Sequence, residues 1–448
     1  MSARNRPDGT NITMNNEIRN NLQAEAVEAL LKQKRLIVNW GTGVGKSRVA
    51  VQAATRLYDT GLTRILLLVA ETAHKANWAA EFAEMGNHSE DVFGKMTVEC
   101  YASLKKYQDT QWDLIIADEA HHLRSENRIG LLSSLKGEFV LCLSATLSEK
   151  NDGKSLLQAL ESTFGQFEQR SFTLQQSIDA KVLGEPRIYV HVLTLRNGVQ
   201  NQQVTLTRGF PKARKKICCT YEQAGTYLND LDRYPNLELV VSCSPKQGYA
   251  LLTQEVKKAK AEYMDLWHQS SGIFASTVSE KDLESKHNAW MLLGSKRKFF
   301  LGRCKTEFAK WLIRQTGEQK FICFCSDVQQ GIDLGGDRIV NSKRRDNADV
   351  IRAFNEGETR SLFAVGMLQE GVSLHGIEVG ICLQLGGKER VFIQKFGRAM
   401  RAENPVQHIV IFNNTHDVDY FRTAVENIDK RFIKYRRYTD DDNLPWQS

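Results

Sequence analysis

Two short segments hold residues whose types and spacing suit phosphate and water chemistry. In GTGVGKS, the glycines Gly41, Gly43 and Gly45 let backbone N–H groups turn towards anionic oxygens, with Thr42 and Val44 between them. Lys46 adds a cation for β- and γ-phosphates, and Ser47 a hydroxyl for a magnesium ion. In DEAHH, Asp118 is the residue type that holds a metal, and Glu119 beside it the type that polarises an attacking water. His121 and His122 are adjacent, which makes a poor chelating pair, and no third ligand lies nearby in sequence, so structural zinc is not expected. The two segments are independent requirements of one reaction. Together they imply a nucleoside-triphosphatase that uses ATP and Mg2+.

Both segments need a buried strand to deliver them. RLIVNW (35–40) precedes the glycine loop and WDLIIA (112–117) precedes the acids, and a helix is expected to begin near Lys46 and run through 48–58. Further apolar runs follow the same plan: ILLLVA (65–70), MTVECY (96–101) and FVLCLS (139–144), with helical patterns such as 73–85 between them. A second alternation runs from about 305 to 412 through FICFC, RIV, SLFAVG, GICLQL and HIVIF. Alternating strands and helices predict parallel sheets with helices on both faces, in the α/β class, where ligands collect at the carboxyl ends of the strands. The expected division is a first domain at 1–175 and a second at 176–448. The second includes a basic helical insertion at about 197–295 and a helical tail at about 413–448, and IYVHVLTL (188–195) is a strand that could open it.

Length and composition bound the rest. At 448 residues, with 42% hydrophobic and 25% charged residues, the chain reads as a soluble protein of two or three domains. No apolar run approaches a membrane span, and the polar N-terminus lacks a signal segment. Nine cysteines without a CxxC pair read as reduced thiols, so the expected location is the cytoplasm of a bacterial or phage-infected cell. A net charge of +7 mildly favours an anionic polymer as partner. KARKK (212–216) and SKRK (295–298) concentrate this charge in the insertion, either as a solvated face or as an element facing nucleic acid.

GTGVGKS, DEAHH and SAT (144–146), in that order, resemble motifs I, II and III of superfamily 2 helicases and translocases of the DExH type. IRNNLQAEAVEAL (18–30) resembles the segment upstream of motif I, and ILLLVAETAHKANWAAEF (65–82) is similar to motif Ia with its W-x-x-E ending at Trp78 and Glu81. LQEGVSLHG (368–376) resembles motif V and QKFGRAMR (394–401) motif VI. The resemblance implies two RecA-like domains, with the insertion lying between motifs III and IV. It implies that Gln23 reads adenine, that Gln394 helps sense nucleotide, and that Arg398 and Arg401 reach the γ-phosphate from the second domain. It gives coupling roles to His121, Ser144, Thr146, Glu370 and Gly371, and strand contacts to Thr72, Lys75 and Ser326. Three departures stand out: Trp40 before the loop, Ser373 where Asp or Asn is common, and Ala70–Glu71 where motif Ia often has proline.

The expected activity is that of an ATP-dependent DNA helicase acting on single-stranded, forked or branched DNA in replication, recombination or repair. In form the chain resembles compact phage-type helicases, working as a monomer or loaded by a partner protein. A double-strand translocase is the alternative. An RNA helicase is the weaker reading, since the DEAD form is absent.

Overall fold

The computed structural model describes residues 9–41, 43–124, 131, 134–144, 156–197, 202–208, 215–234, 236–270, 278–366, 374–385, 402, 404–426 and 428–438. Its apolar runs become strands because each residue pair along them faces a different core. In β1 (Arg35–Trp40), Leu36 and Val38 enter one core while Ile37 enters the other, and in β2 (Ile65–Val69) Leu67 and Leu68 divide in the same way. Strands buried on both faces read as continuous apolar runs, which is the signature of a parallel sheet.

The first sheet has six parallel strands in the order β3-β2-β4-β5-β1-β6, with β3 at Thr97–Cys100, β4 at Gln111–Ala117, β5 at Lys136–Ser144 and β6 at Glu168–Phe172. Helices α1 (Gly9–Gln33), α2 (Lys46–Asp59), α3 (Ala73–Glu84) and α4 (Asn87–Lys95) accompany it, and α5 (Leu156–Phe164) packs on the opposite face. The short α6 (Leu174–Asp179) then buries Leu174 and Ile178 with Ile188, Val190 and Phe421, in a core of the second sheet.

Among the described residues that second sheet has seven parallel strands, in the order β12-β13-β11-β14-β15-β7-β16. Their spans are β7 Arg187–Leu193, β11 Phe321–Phe324, β12 Ile339–Asn341, β13 Ser361–Val365, β14 Val379–Cys382, β15 Val406–Phe412 and β16 Ile433–Arg437. Two parallel-sheet domains are therefore present, as the alternating pattern implies.

Two expectations are corrected. The insertion is not purely helical: β8 (Gln202–Thr207), β9 (Lys215–Thr220) and β10 (Leu237–Cys243) form a three-stranded sheet in the order β8-β10-β9. It packs with α7 (Tyr221–Arg233) and a long helical pair, α8 (Pro245–Ser270) and α9 (Glu280–Arg303), around their own core. QQVTLT and KKICCT are short and mostly polar because both are edge strands with one face in water, so neither reads as an apolar run. The tail is not wholly helical either. After α13 (His416–Ala424), IKYRR forms edge strand β16, parallel to β7. Its charged side chains suit an edge exposed to water. The remaining helices among the described residues, α10 (Thr306–Gln315), α11 (Val328–Gly335) and α12 (Asn347–Asn355), cover the second sheet.

No helix among the described residues is long and apolar enough to cross a membrane.

Candidate nucleotide site

All strands of the first sheet run in parallel, so β1, β4 and β5 deliver their following residues to one edge. Trp40, at the end of β1, is 2% exposed and packs into the core. The side chain at this position therefore serves the core, while the Trp40 carbonyl meets the loop. That carbonyl accepts a hydrogen bond from Lys46 Nζ at 2.9 Å, which holds the ammonium back over the loop. Gly43 and Gly45 have φ of 93° and 100°, in the left-handed region that other residues enter only under strain. Gly45 is constrained twice, because a Cβ there would stand 2.2 Å from Gln23 Nε2. Gly41 donates its N–H to Phe172 O, which ties the loop entry to β6. Lys46 and Ser47 open α2, whose first-turn N–H groups make this a ready anion site. Thr42 lies outside the described residues.

Gln23 reaches the loop from α1. It is fully buried, its Nε2 donates to Val44 O at 3.2 Å, and its Oε1 has no partner among the described residues. A buried acceptor left open beside a phosphate loop is complementary to an amino donor such as that of adenine.

Asp118 and Glu119 follow β4 on the same edge. The Asp118 N–H donates to Leu68 O, and Tyr101 OH donates to Asp118 O at 2.6 Å, so the backbone is fixed from both sides. Burial, and then the neighbouring Glu119 charge, push the Asp118 carboxyl up to about 7, while the Trp78 hydrogen bond and the Lys46 charge pull it down. Glu119 has φ of 47°, a left-handed backbone that turns the chain sharply after the strand. Its carboxylate lies 3.3 Å from His121 Nδ1, and His121 is itself buried. Ser144 ends β5, fully buried, opposite Asn39 of β1. The structure thus brings together Gln23, Gly41, Gly43, Val44, Gly45, Lys46, Ser47, Asp118, Glu119, His121 and Ser144. Thr146, Glu370, Gly371, Gln394, Arg398 and Arg401 lie outside the described residues.

One contributor was legible only as part of a spacing. Trp78 Nε1 donates to Asp118 Oδ2 at 2.9 Å, across 40 positions of sequence. The W-x-x-E pattern marks Trp78 without saying that it holds the Asp118 carboxylate. The strand contacts separate. Thr72 is exposed just before α3, and Lys75 lies 3.7 Å from Glu99. Ser326 is only 3% exposed and its hydroxyl donates to Gln330 Oε1 at 2.9 Å, so it is held inside the second domain instead of being offered to a strand.

The residues fit a magnesium–nucleotide complex. Magnesium is usually held by one or two carboxylates with water and substrate phosphates, and Asp118 and Ser47 supply that donor set. When bound, the ion neutralises charge on the β- and γ-phosphates. Lys46 would add to that neutralisation, the loop N–H groups would orient the phosphates, and Glu119 would hold and polarise the water.

The fold and site define an ATP-driven nucleic-acid motor enzyme. Comparison with known proteins agrees: residues 17–149 match the family described as type III restriction enzyme, res subunit, and residues 304–403 match the helicase conserved C-terminal domain. The chain is 22% identical over 409 residues to the DNA 3'-5' translocase XPB2 of Sulfurisphaera tokodaii, covering 89% of this chain and 82% of that protein. In fold it resembles Saccharomyces cerevisiae Dbp5 bound to RNA and ADP BeF3 (TM-score 0.53, 12% identity, 94% of this chain and 90% of that one). It also resembles the DEAD-box helicase Mss116 bound to ssRNA and UDP-BeF (TM-score 0.53, 10% identity, 94% and 75%). These matches support a helicase or translocase of superfamily 2.

Proposed function

We propose that this motor acts on DNA, coupling ATP hydrolysis to movement along it and to the opening or remodelling of forked or branched structures in replication, recombination or repair. The observation that carries the choice of DNA is the similarity, along most of the chain, to a relative named as a DNA translocase. The W-x-x-E spacing at Trp78 and Glu81 and the positive net charge agree with it. In this reading Gln23 Oε1 accepts from adenine, Gln394 senses nucleotide, and Arg398 and Arg401 act as arginine fingers, each worth about 10³–10⁵ in rate. Movement follows if ATP closes the two domains and hydrolysis releases them while both hold one strand. His121, Ser144, Thr146, Glu370 and Gly371 would carry that coupling. Thr72 and Lys75 remain the proposed strand contacts, and the enzyme would work in the cytoplasm.

The second reading is translocation on duplex DNA without strand separation; the same relative is named a translocase. ATPase stimulation compared across single-stranded DNA, blunt duplex, forked DNA and RNA tests the proposal, together with strand displacement on forks. Stimulation by DNA with displacement of forked strands is expected. Stimulation by blunt duplex without displacement selects the translocase, and stimulation by RNA alone overturns both.

A further inference from the structure

The half of the helical pair nearest the second domain carries charge of one sign along α9. From 285 to 303 this helix has Lys286, Lys296, Arg297, Lys298 and Arg303 and no aspartate or glutamate. Several of these cations have a use inside the fold. Lys286 pairs with Glu262, Arg303 pairs with Asp327, and Lys296 Nζ lies 3.4 Å from Thr205 O and from Thr207 Oγ1. Arg297 is different. It is only 7% exposed, yet among the described residues its guanidinium has neither a hydrogen bond nor an ion pair. Burying an unpaired charge is costly, so such a group either weakens the fold for nothing or meets a partner from outside.

Its surroundings hold further unused donors. Tyr249, Thr253 and Lys257 follow one another at four-residue spacing on α8 and so share one helix face. Tyr249 OH lies 2.7 Å from His416 Nδ1 and accepts from the His416 N–H at 3.2 Å, which seats this face on the start of α13. Thr253 Oγ1, between Tyr249 and Lys257, is buried without a partner among the described residues. Lys257 is exposed and likewise unpaired among them. Burial, and then the Arg297 charge, hold the His416 imidazole below its usual range; Asp419 and Asp417 oppose that shift and Lys257 adds to it. Of the two acids, Asp417 is already tied to Lys305 at 2.8 Å, and Asp419 is exposed. The α9 face is also open, since a Cβ at Gly294, one turn before Arg297, would meet nothing within 4 Å.

We propose that Arg297, with Thr253, Lys257 and His416, forms a site at the root of the insertion for a backbone phosphate of DNA. This rests on the reading of the chain as a DNA motor. A guanidinium fork matches phosphate oxygens, and the threonine hydroxyl and lysine ammonium add further donors. Because α13 follows β15, the site lies at the carboxyl end of the second sheet, where ligands collect in open α/β folds. A phosphate contact positions a strand without reading its bases, so single-stranded and duplex DNA both fit.

The test measures binding of the full chain, without ATP, to a single-stranded oligonucleotide and to a blunt duplex over a series of salt concentrations. Arg297→Met should weaken binding to both by about tenfold. It should also make the fall of log affinity with log salt shallower, by about 0.7 for the single strand and about 0.9 for the duplex. Arg297→Lys should keep the wild-type slope, and Thr253→Val should keep it with a smaller loss of affinity. Since the guanidinium has no partner within the described fold, Arg297→Met should leave the denaturant midpoint at or above that of the wild type. Unchanged affinity and slope in Arg297→Met overturn the site. A lowered midpoint overturns it too, by making the guanidinium a structural group. Inorganic phosphate that raises the wild-type midpoint, with DNA binding unaltered in Arg297→Met, would assign the site to a free anion and overturn the strand contact. If the variants behave as expected but no DNA stimulates hydrolysis, the contact stands and the motor reading fails.

Discussion

The first parallel sheet sets its ionisable groups along the carboxyl edge, whereas the second encloses a set of them within its interior. Asp118 and Glu119 follow the end of β4, and Lys46 opens α2 beyond β1, where a ligand can reach them. In the second domain, Lys305 is 1% exposed, with Nζ 2.8 Å from Asp417 Oδ2 and 2.7 Å from Leu383 O. His191 is fully buried between β15 and β16. Its Nε2 lies 2.9 Å from His408 Nδ1 and its Nδ1 lies 2.9 Å from Tyr438 OH. Similar sheets thus use buried polarity differently. On the open edge a perturbed carboxyl stands where a ligand can approach, while enclosed pairs fix how strands and helices meet.

This contrast can be broken by substitutions on either side. Lys46→Ala should lower ATP hydrolysis by about 10³-fold or more, with the fold intact by circular dichroism. Glu119→Gln should keep nucleotide binding and cut turnover by about 10²–10⁴-fold. Loss of binding instead would remove its assignment as the water-polarising group. On the other side, Lys305→Met leaves Asp417 buried without its cation and should cost about 3–5 kcal/mol in denaturant unfolding of the second domain. Nucleotide affinity of the first domain should change little, and an unaltered unfolding midpoint would show that the pair does not hold the domain.

Acid should act on the enclosed side. Burial pushes His191 down to about 3, with His408 and Arg436 adding to the shift, and burial with Arg436 pushes His408 down to about 4. Unfolded histidine titrates near 6.5. Both groups therefore add stability above about pH 6.5, and that contribution is lost as pH falls towards 4 and then 3. Denaturation midpoints at pH 7 and pH 5 should differ less in a His191→Asn, His408→Asn chain than in the wild type. The smallest effect is expected at Trp78→Phe. Without the indole hydrogen bond Asp118 should titrate higher still, lowering hydrolysis at pH 7 by about tenfold or less, with recovery as the pH is raised. Equal loss at every pH would mean that Trp78 only packs.

Much of the first domain is legible in sequence because its strands are buried on both faces and its loop chemistry needs particular residues at fixed spacing. GTGVGKS and DEAHH carry the roles proposed for Lys46, Ser47, Asp118 and Glu119 in their own spacing. What stays hidden is distance across the fold. No local pattern pairs Trp78 with Asp118 or Lys305 with Asp417. Ser326 reads as a polar residue at a strand end, yet the Gln330 amide and the close approach of Gly302 turn it inward. Strands at sheet edges fail for another reason. In KKICCT and IKYRR only one face needs to be apolar, so lysines and arginines mask the period and the segments look like basic helices.

The position of β7 carries a consequence for synthesis. The first sheet draws all its strands from residues 35–172 and can close while the chain is still being made. β7 leaves the ribosome next, but its partners are β15 and β16, and the His191–His408 contact spans 217 residues. At roughly 5–20 residues per second, β7 waits about 10–40 s with both edges unpaired. Through that interval an apolar strand is open to wrong partners, so the nascent chain should depend on chaperones in its second half far more than in its first.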